Sequence, residues 1–196
     1  MISFEDILYN KRDINQDCVN RLGLVIEDIC SSYMLKAYNI DDFAVMNNCA
    51  DLSNLFAETS IDKLDLSEWC IPNLVKIDSM FRYSSANEIL VNNMDVSKVT
   101  SMKSVFEGCI NLKQLDISNW DTSKVKDMSR MFMYCNSLDL EEITLDVSSV
   151  KYMFDIFSGT KIKRAYLKNP SKSVRDASRV NKKYFNDTYD TEIIFI

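Results

Sequence analysis

Apolar and polar positions follow a pattern that recurs every 25 or 26 residues along this chain. The clearest marker is a phenylalanine whose successive copies lie 25, 25, 26 and 25 residues apart. A fixed period of roughly 20 to 50 residues is typical of proteins built from stacked repeats, in which each repeat buries its apolar side only against its neighbours. The phenylalanines of this column are Phe56, Phe81, Phe106, Phe132 and Phe157.

Three further apolar columns keep the same register as the phenylalanines. They lie seven residues, four residues and one residue before each phenylalanine. This spacing predicts a short helical or 3₁₀ segment with one face turned inward. The columns are Cys49, Leu74, Val99, Val125 and Val150; Leu52, Ile77, Met102, Met128 and Met153; and Leu55, Met80, Val105, Met131 and Ile156.

The second half of each copy shows strand periodicity followed by a turn. Leu115 and Ile117 alternate with Asp116, and this alternation predicts a strand with one buried face. In the fourth copy Leu140 fits the pattern but Glu142 stands where an apolar residue is expected, so we expect a distorted or bulged strand there. An Asp-x-Ser-x-Val turn follows, in which Asp and Ser side chains bond the backbone two residues on. It begins at Asp95, Asp121 and Asp146.

These elements predict an α+β repeat solenoid, similar to a leucine-rich repeat: a right-handed stack of about five 25-residue coils with one parallel strand each. A period of this length is too short for repeats made of paired helices. We expect a helical N-terminal cap at 1–48, a five-repeat solenoid at 49–167, and a C-terminal cap of one helix and one strand at 168–196. Caps are expected because the open ends of a solenoid expose apolar surface. The last strand, 191–196, is expected to pair with the final coil.

The segment 115–132 carries a resemblance to a known repeat family. Its Trp-Asp-Thr-Ser and Asp-Met-Ser-x-Met-Phe strings resemble the BspA-like leucine-rich repeats and, more narrowly, a lipoprotein-associated repeat of unknown function that is abundant in mycoplasmas. The resemblance covers about 49–167. It implies a solenoid, usually on bacterial surfaces, that serves adhesion or protein binding, and relatives occur in protists and large viruses. It implies no catalytic residues.

Composition narrows the class of protein further. The chain has 196 residues, which suits a single domain, and its 46% apolar content supports a real core. No run of about 18 apolar residues is present, and the first residues lack the basic start and apolar run of a signal peptide. We therefore expect a cytoplasmic or host-intracellular protein, or a cell-surface protein if a leader was removed.

The chain carries six cysteines and no histidine, so it offers neither a Cys-x-x-Cys pair nor a zinc-type ligand set, and we expect no metal or cofactor. Cys109 and Cys135 share one column, three residues after the phenylalanine. We expect both to be buried free thiols that pack as small apolar side chains. A disulfide between stacked copies is the less favoured alternative, because no secretion signal is present.

The outward positions of the strands are the predicted binding surface. In a solenoid of this kind the strand face is the usual ligand face, and these positions vary in chemical type from copy to copy while the core columns do not. The alternative is a surface that serves only solubility. The predicted strand-face residues are Lys63, Asp65, Glu88, Leu90, Gln114, Asp116, Asp139, Glu141, Arg164 and Tyr166.

A second candidate surface is a basic segment in an otherwise acidic chain. Residues 161–183 carry nine basic side chains and one acidic one, whereas the whole chain has a net charge of −6. Such a segment is typical either of a solvated cap helix or of a site for an anionic partner. Nucleic acid is disfavoured because the acidic chain would repel it. The basic residues are Lys161, Lys163, Arg164, Lys168, Lys172, Arg175, Arg179, Lys182 and Lys183.

Catalysis is not indicated by any residue pattern in the chain. Histidine, the commonest general base, is absent, and there is no glycine-rich phosphate loop or nucleophile elbow. We therefore predict a non-enzymatic module that binds a macromolecule, with a protein as the favoured partner and no prediction of oligomeric state. The alternatives are a surface adhesin, an intracellular viral or symbiont effector or inhibitor of a host protein, and a hydrolase that uses acidic residues.

Overall fold

The computed structural model describes residues 50–60, 62–67, 69, 71–175 and 191–196. The predicted N-terminal cap at 1–48 and most of the predicted C-terminal helix lie outside these residues. The described chain is a parallel β-solenoid of about five coils, and its helical content is a single turn at 172–175. The strands are β1 (Lys63–Asp65), β2 (Glu88–Leu90), β3 (Gln114–Leu115), β4 (Glu142–Asp146), β5 (Arg164–Lys168) and β6 (Glu192–Phe195).

The strands form two sheets of three, and all pairs within them are parallel. The first sheet has the order β1-β2-β3 and the second β4-β5-β6. The pairing of Leu64 with Ile89 and of Ile89 with Leu115 reproduces the register predicted for the first three coils. The prediction that the last strand pairs with the final coil is also confirmed, because β6 lies parallel to β5. No described strand joins β3 to β4.

The five phenylalanines form a continuous internal stack along the axis of the solenoid. Consecutive ring centroids lie 5.7, 5.4, 5.6 and 5.9 Å apart, and the ring planes are tilted by no more than 9°. Each ring is at most 1% exposed, so the end rings, Phe56 and Phe157, are buried as deeply as those in the middle. The three flanking apolar columns are buried around this stack wherever the structure describes them. Methionines of the core columns pack here too, as predicted.

The prediction of a short helical or 3₁₀ segment before each phenylalanine is wrong. These segments are successive turns, and the residues two positions before and two positions after each phenylalanine have positive φ values. The two left-handed residues of each segment lie four positions apart, and from one to the other every second N–H points to the next coil and not along its own chain. Apart from two glycines these residues carry side chains, for which left-handed geometry costs about 1–2 kcal/mol each. They are Asn54, Ser79, Ser104, Arg130 and Asp155, and Glu58, Tyr83, Gly108, Tyr134 and Gly159.

This alternation creates a one-directional hydrogen-bond ladder between coils. The N–H of Phe56 donates to Met80 O at 2.8 Å, and the N–H of Phe81 donates to Val105 O at 2.9 Å. The residues two before and two after each of the first four phenylalanines donate to the next coil in the same way. In every such peptide the carbonyl faces the preceding coil and the N–H faces the following one. The ladder offsets the cost of the left-handed residues.

Two tyrosines lie over the glycines of the following coil. A Cβ added to Gly108 would stand 2.0 Å from Cδ1 of Tyr83, and one added to Gly159 would stand 2.8 Å from Cδ1 of Tyr134. Because each glycine also has a positive φ, it is required here for two reasons: the backbone geometry and the space the ring occupies. Tyrosine and glycine therefore alternate in this column as a packed pair.

The turns after the strands follow the predicted chemistry. The N–H groups of Ser97, Ser123 and Ser148 donate to the Oδ1 atoms of the aspartates two residues earlier, at 3.0, 3.0 and 2.9 Å. The Asp-x-Ser-x-Val turn is therefore confirmed in the three coils that carry it. Within the described residues, no helix is long and apolar enough to cross a membrane.

Candidate functional site

The strand face of the first sheet is largely engaged in its own contacts. Lys63 Nζ lies 2.9 Å from Glu88 Oε2, so these two outward residues form an ion pair between coils. Asp65 accepts hydrogen bonds from the Oγ and the N–H of Ser67 at 2.7 and 3.1 Å, and these bonds hold the pKa of Asp65 below its ordinary value. Lys63 and Glu88 thus also stabilise the stack, and Asp65 stabilises its own turn.

The structure corrects the predicted register of the fourth coil. Asp139 and Glu141 precede β4, and the outward positions of this strand are Glu142, Thr144 and Asp146. The inward residue that pairs with Ala165 is Ile143, eleven residues after Phe132, whereas Leu64 and Ile89 follow their phenylalanines by eight. Three extra residues therefore shift β4, and Leu140 takes no place in the strand.

This shift opens a groove between β3 and β4, which we name the β3–β4 groove. Its volume is about 510 Å³, within the range of roughly 300–1,000 Å³ of ligand pockets. The apolar residues along it are Leu115, Ile117, Trp120, Leu140 and Ile143, and the polar ones are Asp116, Ser118, Asp121, Thr122, Glu142, Thr144, Asp146 and Lys168.

Core residues beside the β3–β4 groove are slightly more exposed than their equivalents in the first two coils. Leu115, Ile117 and Ile143 are 8%, 5% and 6% exposed. Leu64 and Ile89, the equivalents of Leu115 in the first two coils, are 0% exposed. The core is therefore closed where the strands pair and partly uncovered where they do not.

One end of the groove is closed by a side chain that replaces a strand pairing. Thr122 Oγ1 donates to Asp146 O at 2.9 Å and accepts the N–H of Asp146 at 2.9 Å. The same slot of the turn holds Ile71, Val96 and Val147 in other coils. A threonine that is 1% exposed in an otherwise apolar column therefore fastens the second sheet to the first.

The rim of the groove is predominantly anionic. Asp116 accepts the N–H of Ser118 at 2.9 Å, and Asp121 accepts that of Ser123 at 3.0 Å. Hydrogen bonds from these serines lower the pKa of both aspartates, so both are ionised at neutral pH. Neither carboxylate forms a salt bridge with a described residue.

Asp146 and Glu142 complete the anionic rim, and both are partly compensated. Burial alone raises the pKa of Asp146, but hydrogen bonds from Ser148 and Asn169 outweigh it, so the pKa lies below its ordinary value. Glu142 Oε1 lies 2.8 Å from Arg164. The groove is therefore lined by four carboxylates and one ammonium group, that of Lys168.

The basic segment is partly neutralised by the fourth coil. Lys163 pairs with Glu141, and Arg164 pairs with Glu142. Tyr166 lies half-buried in β5 beside Thr144, while Lys161 and Lys172 are exposed. Arg175 lies over the ring of Phe195, 5.5 Å from its centroid. Arg179, Lys182 and Lys183 lie outside the described residues.

Sequence reasoning missed the groove, although the sequence carries its signs. Glu142 occupies an apolar slot of the predicted strand, and Thr122 is a polar residue in an apolar column. Both point to the junction of the third and fourth coils. The extra residue in the 26-residue step from Phe106 to Phe132 lies before β3, between Phe106 and Leu115. Among the described residues no group of three or more Cys, Asp or Glu side chains is arranged to hold a metal ion.

The family of the chain follows from a comparison with known protein families. A family model described as "Mycoplasma protein of unknown function, DUF285" matches residues 50–169. The chain belongs to the DUF285 family. The DUF285 match begins just before the first described coil and ends just after β5, so it spans the stacked coils and includes the β3–β4 groove. No curated protein and no solved structure matches the chain.

Proposed function

We propose that this protein is a non-enzymatic interaction module of the BspA-like leucine-rich-repeat type, and that it binds a protein partner through its strand face. The DUF285 match and the fixed coil period support the repeat type. The observation that carries the proposal is the contrast between inward and outward strand positions. Inward strand positions are apolar and buried in every described coil. The outward positions differ between paired strands: Asp65 lies beside Leu90, and Thr144 lies beside Tyr166.

The state of the buried thiols supports a non-catalytic role. Cys109 Sγ donates to Phe81 O at 3.0 Å, and Cys135 Sγ donates to Phe106 O at 3.0 Å. Burial raises the pKa of Cys109 to about 12 and that of Cys135 well above its ordinary value. Because the thiolate is the nucleophilic form, both cysteines are inert at neutral pH and serve the core.

The test compares the strand face with another surface of the same coils. Tagged protein carrying Leu90→Arg with Tyr166→Glu is purified from its native cells beside the wild type and a Lys76→Glu control. Lys76 is exposed and lies in a separate line of bridges between coils. We expect the strand-face variant to lose the protein that co-purifies with the wild type, while Lys76→Glu retains it. Equal retention by all three, with folding verified by circular dichroism, would overturn the assignment of the face.

A further inference from the structure

The β3–β4 groove has open strand edges on both sides. β3 pairs with β2 and β4 pairs with β5, so the facing edges of β3 and β4 lack a strand partner among the described residues. Both backbone groups of Asp146 point toward β3, where Thr122 satisfies them. Alternate residues of a strand direct their backbone groups to the same side, so those of Thr144 and Glu142 also face the groove. Such an edge is a template for an added strand.

The floor of the groove suits a long aliphatic stem. Leu115 in β3, Ile117 just beyond β3 and Ile143 in β4 are core residues that line the groove and are 8%, 5% and 6% exposed. Lysine and arginine cover apolar surface with their methylene groups while their charged ends stay near water or an anion. A floor of this kind beneath a charged rim therefore fits a side chain that is apolar along its length and cationic at its end.

The rim supplies the complementary charge. Asp116 and Asp121 are ionised at neutral pH and lie on the β3 side of the groove, without a salt bridge to any described residue. The hydrogen bonds to Ser118 and Ser123 hold both carboxylates in place. Fixed, ionised carboxylates beside an apolar floor attract cations and repel anionic ligands such as nucleic acid.

We propose that the β3–β4 groove binds an extended, lysine- or arginine-bearing segment of the partner protein by strand addition. The proposal rests on the proposed function and narrows it to one site and one chemical class of partner. The backbone of the bound segment pairs with the open edges, its basic side chains cover the floor, and their charged ends meet Asp116 and Asp121.

The first experiment measures binding of a short basic strand to the whole protein. The probe is acetyl-(Lys-Val)₃-amide, titrated at low salt and followed by amide NMR shifts. The comparison peptides are acetyl-(Glu-Val)₃-amide and a lysine peptide methylated at alternate backbone nitrogens. We expect saturable binding of the lysine peptide, with shifts concentrated in β3 and β4, no binding of the glutamate peptide, and at least ~5-fold weaker binding after methylation, because backbone donors are lost. Equal binding of the methylated peptide or of spermine would overturn strand addition.

The second experiment uses variants with matched controls in neighbouring coils. Asp116→Asn with Asp121→Asn removes two rim charges and leaves an amide oxygen to accept the serine N–H. Asp95→Asn with Asp127→Asn makes the same changes at two turns that line neither the groove nor the predicted strand face. Since an exposed charge pair contributes a factor of about 2–5, the rim variant should bind the lysine peptide about 4- to 25-fold more weakly, and the control should bind within about 2-fold of wild type. Equal weakening in both variants would overturn the role of the groove.

The same variants separate failure of the groove from failure of the wider function. If Asp116→Asn with Asp121→Asn holds its native partner as tightly as wild type does, while Leu90→Arg with Tyr166→Glu loses it, the groove proposal is overturned and the strand-face proposal stands. If the rim variant loses the partner and the Asp95 and Asp127 control does not, both proposals are supported. If neither the rim variant nor the strand-face variant changes partner retention, both proposals are overturned.

Discussion

The two sides of each coil respond differently to an irregular repeat. On the phenylalanine side the stack passes from Phe106 to Phe132 without interruption, with ring centroids 5.6 Å apart. On the strand side the same junction divides the sheet in two. The phenylalanine ladder depends on left-handed residues at fixed positions around the ring, so it tolerates no shift there. The strand side lacks this constraint, so the strand of the fourth coil lies three residues later in a coil of ordinary length, and the β3–β4 groove is the result.

The strongest test of the contrast removes a ring from the uninterrupted side. Phe106→Ala should lower the free energy of unfolding by about 3–5 kcal/mol, because it leaves a cavity between two stacked rings. Asp116→Ala, on the strand side of the same coil, should cost about 1 kcal/mol, because it removes one turn hydrogen bond. Urea denaturation of both variants gives the comparison. Similar losses would show that the two sides are equally constrained.

The next test adds a single carbon to the same side. Gly108→Ala should lower the free energy of unfolding by about 2–3 kcal/mol, because alanine is strained at positive φ and its Cβ meets the Tyr83 ring. In a Tyr83→Ala background only the backbone part, about 1–2 kcal/mol, should remain. Thermal and urea melts of the four proteins of this cycle measure the coupling. An identical cost in both backgrounds would exclude the contact with the ring.

At the junction itself, Thr122→Val makes the turn match its neighbours in sequence. The substitution keeps the shape and restores an apolar column, but it leaves the N–H and C=O of Asp146 without their partner. The free energy of unfolding should fall by about 1–3 kcal/mol. Val96→Thr in the second coil is the reciprocal control. Stability unchanged by Thr122→Val would mean that the threonine does not fasten the sheets.

The smallest expected effect concerns acid. Serine hydrogen bonds lower the pKa values of Asp65, Asp95, Asp116 and Asp121. A depressed folded-state pKa contributes stability that is fully present above the unfolded value of about 3.9 and is lost as the pH falls through the folded value. The free energy of unfolding measured in urea should therefore fall below about pH 4. In Asp95→Asn this decline should be shallower, and an unchanged slope would contradict the linkage.

Local chemistry explains which features the sequence predicts. The phenylalanine stack and the Asp-x-Ser turns depend on residue type and spacing alone, so both were predicted. The left-handed positions were not, because Arg130, Glu58 and Asn54 give no sign of a shared backbone conformation. The register of the fourth coil was also missed. Leu140 and Ile143 both suit the inward slot, and pairing with β5 decides between them.

The direction of the hydrogen-bond ladder has a consequence for the length of the molecule. Every coil offers N–H groups on one face and carbonyl groups on the other, so the backbones of the two faces are complementary. A duplicated 25-residue unit placed between Phe81 and Phe106 would accept hydrogen bonds from the N–H groups of the preceding coil. Its own N–H groups would donate to the carbonyl groups of the following coil. Chains of this kind can therefore lengthen or shorten by whole units during evolution, while a partial unit would break the ladder.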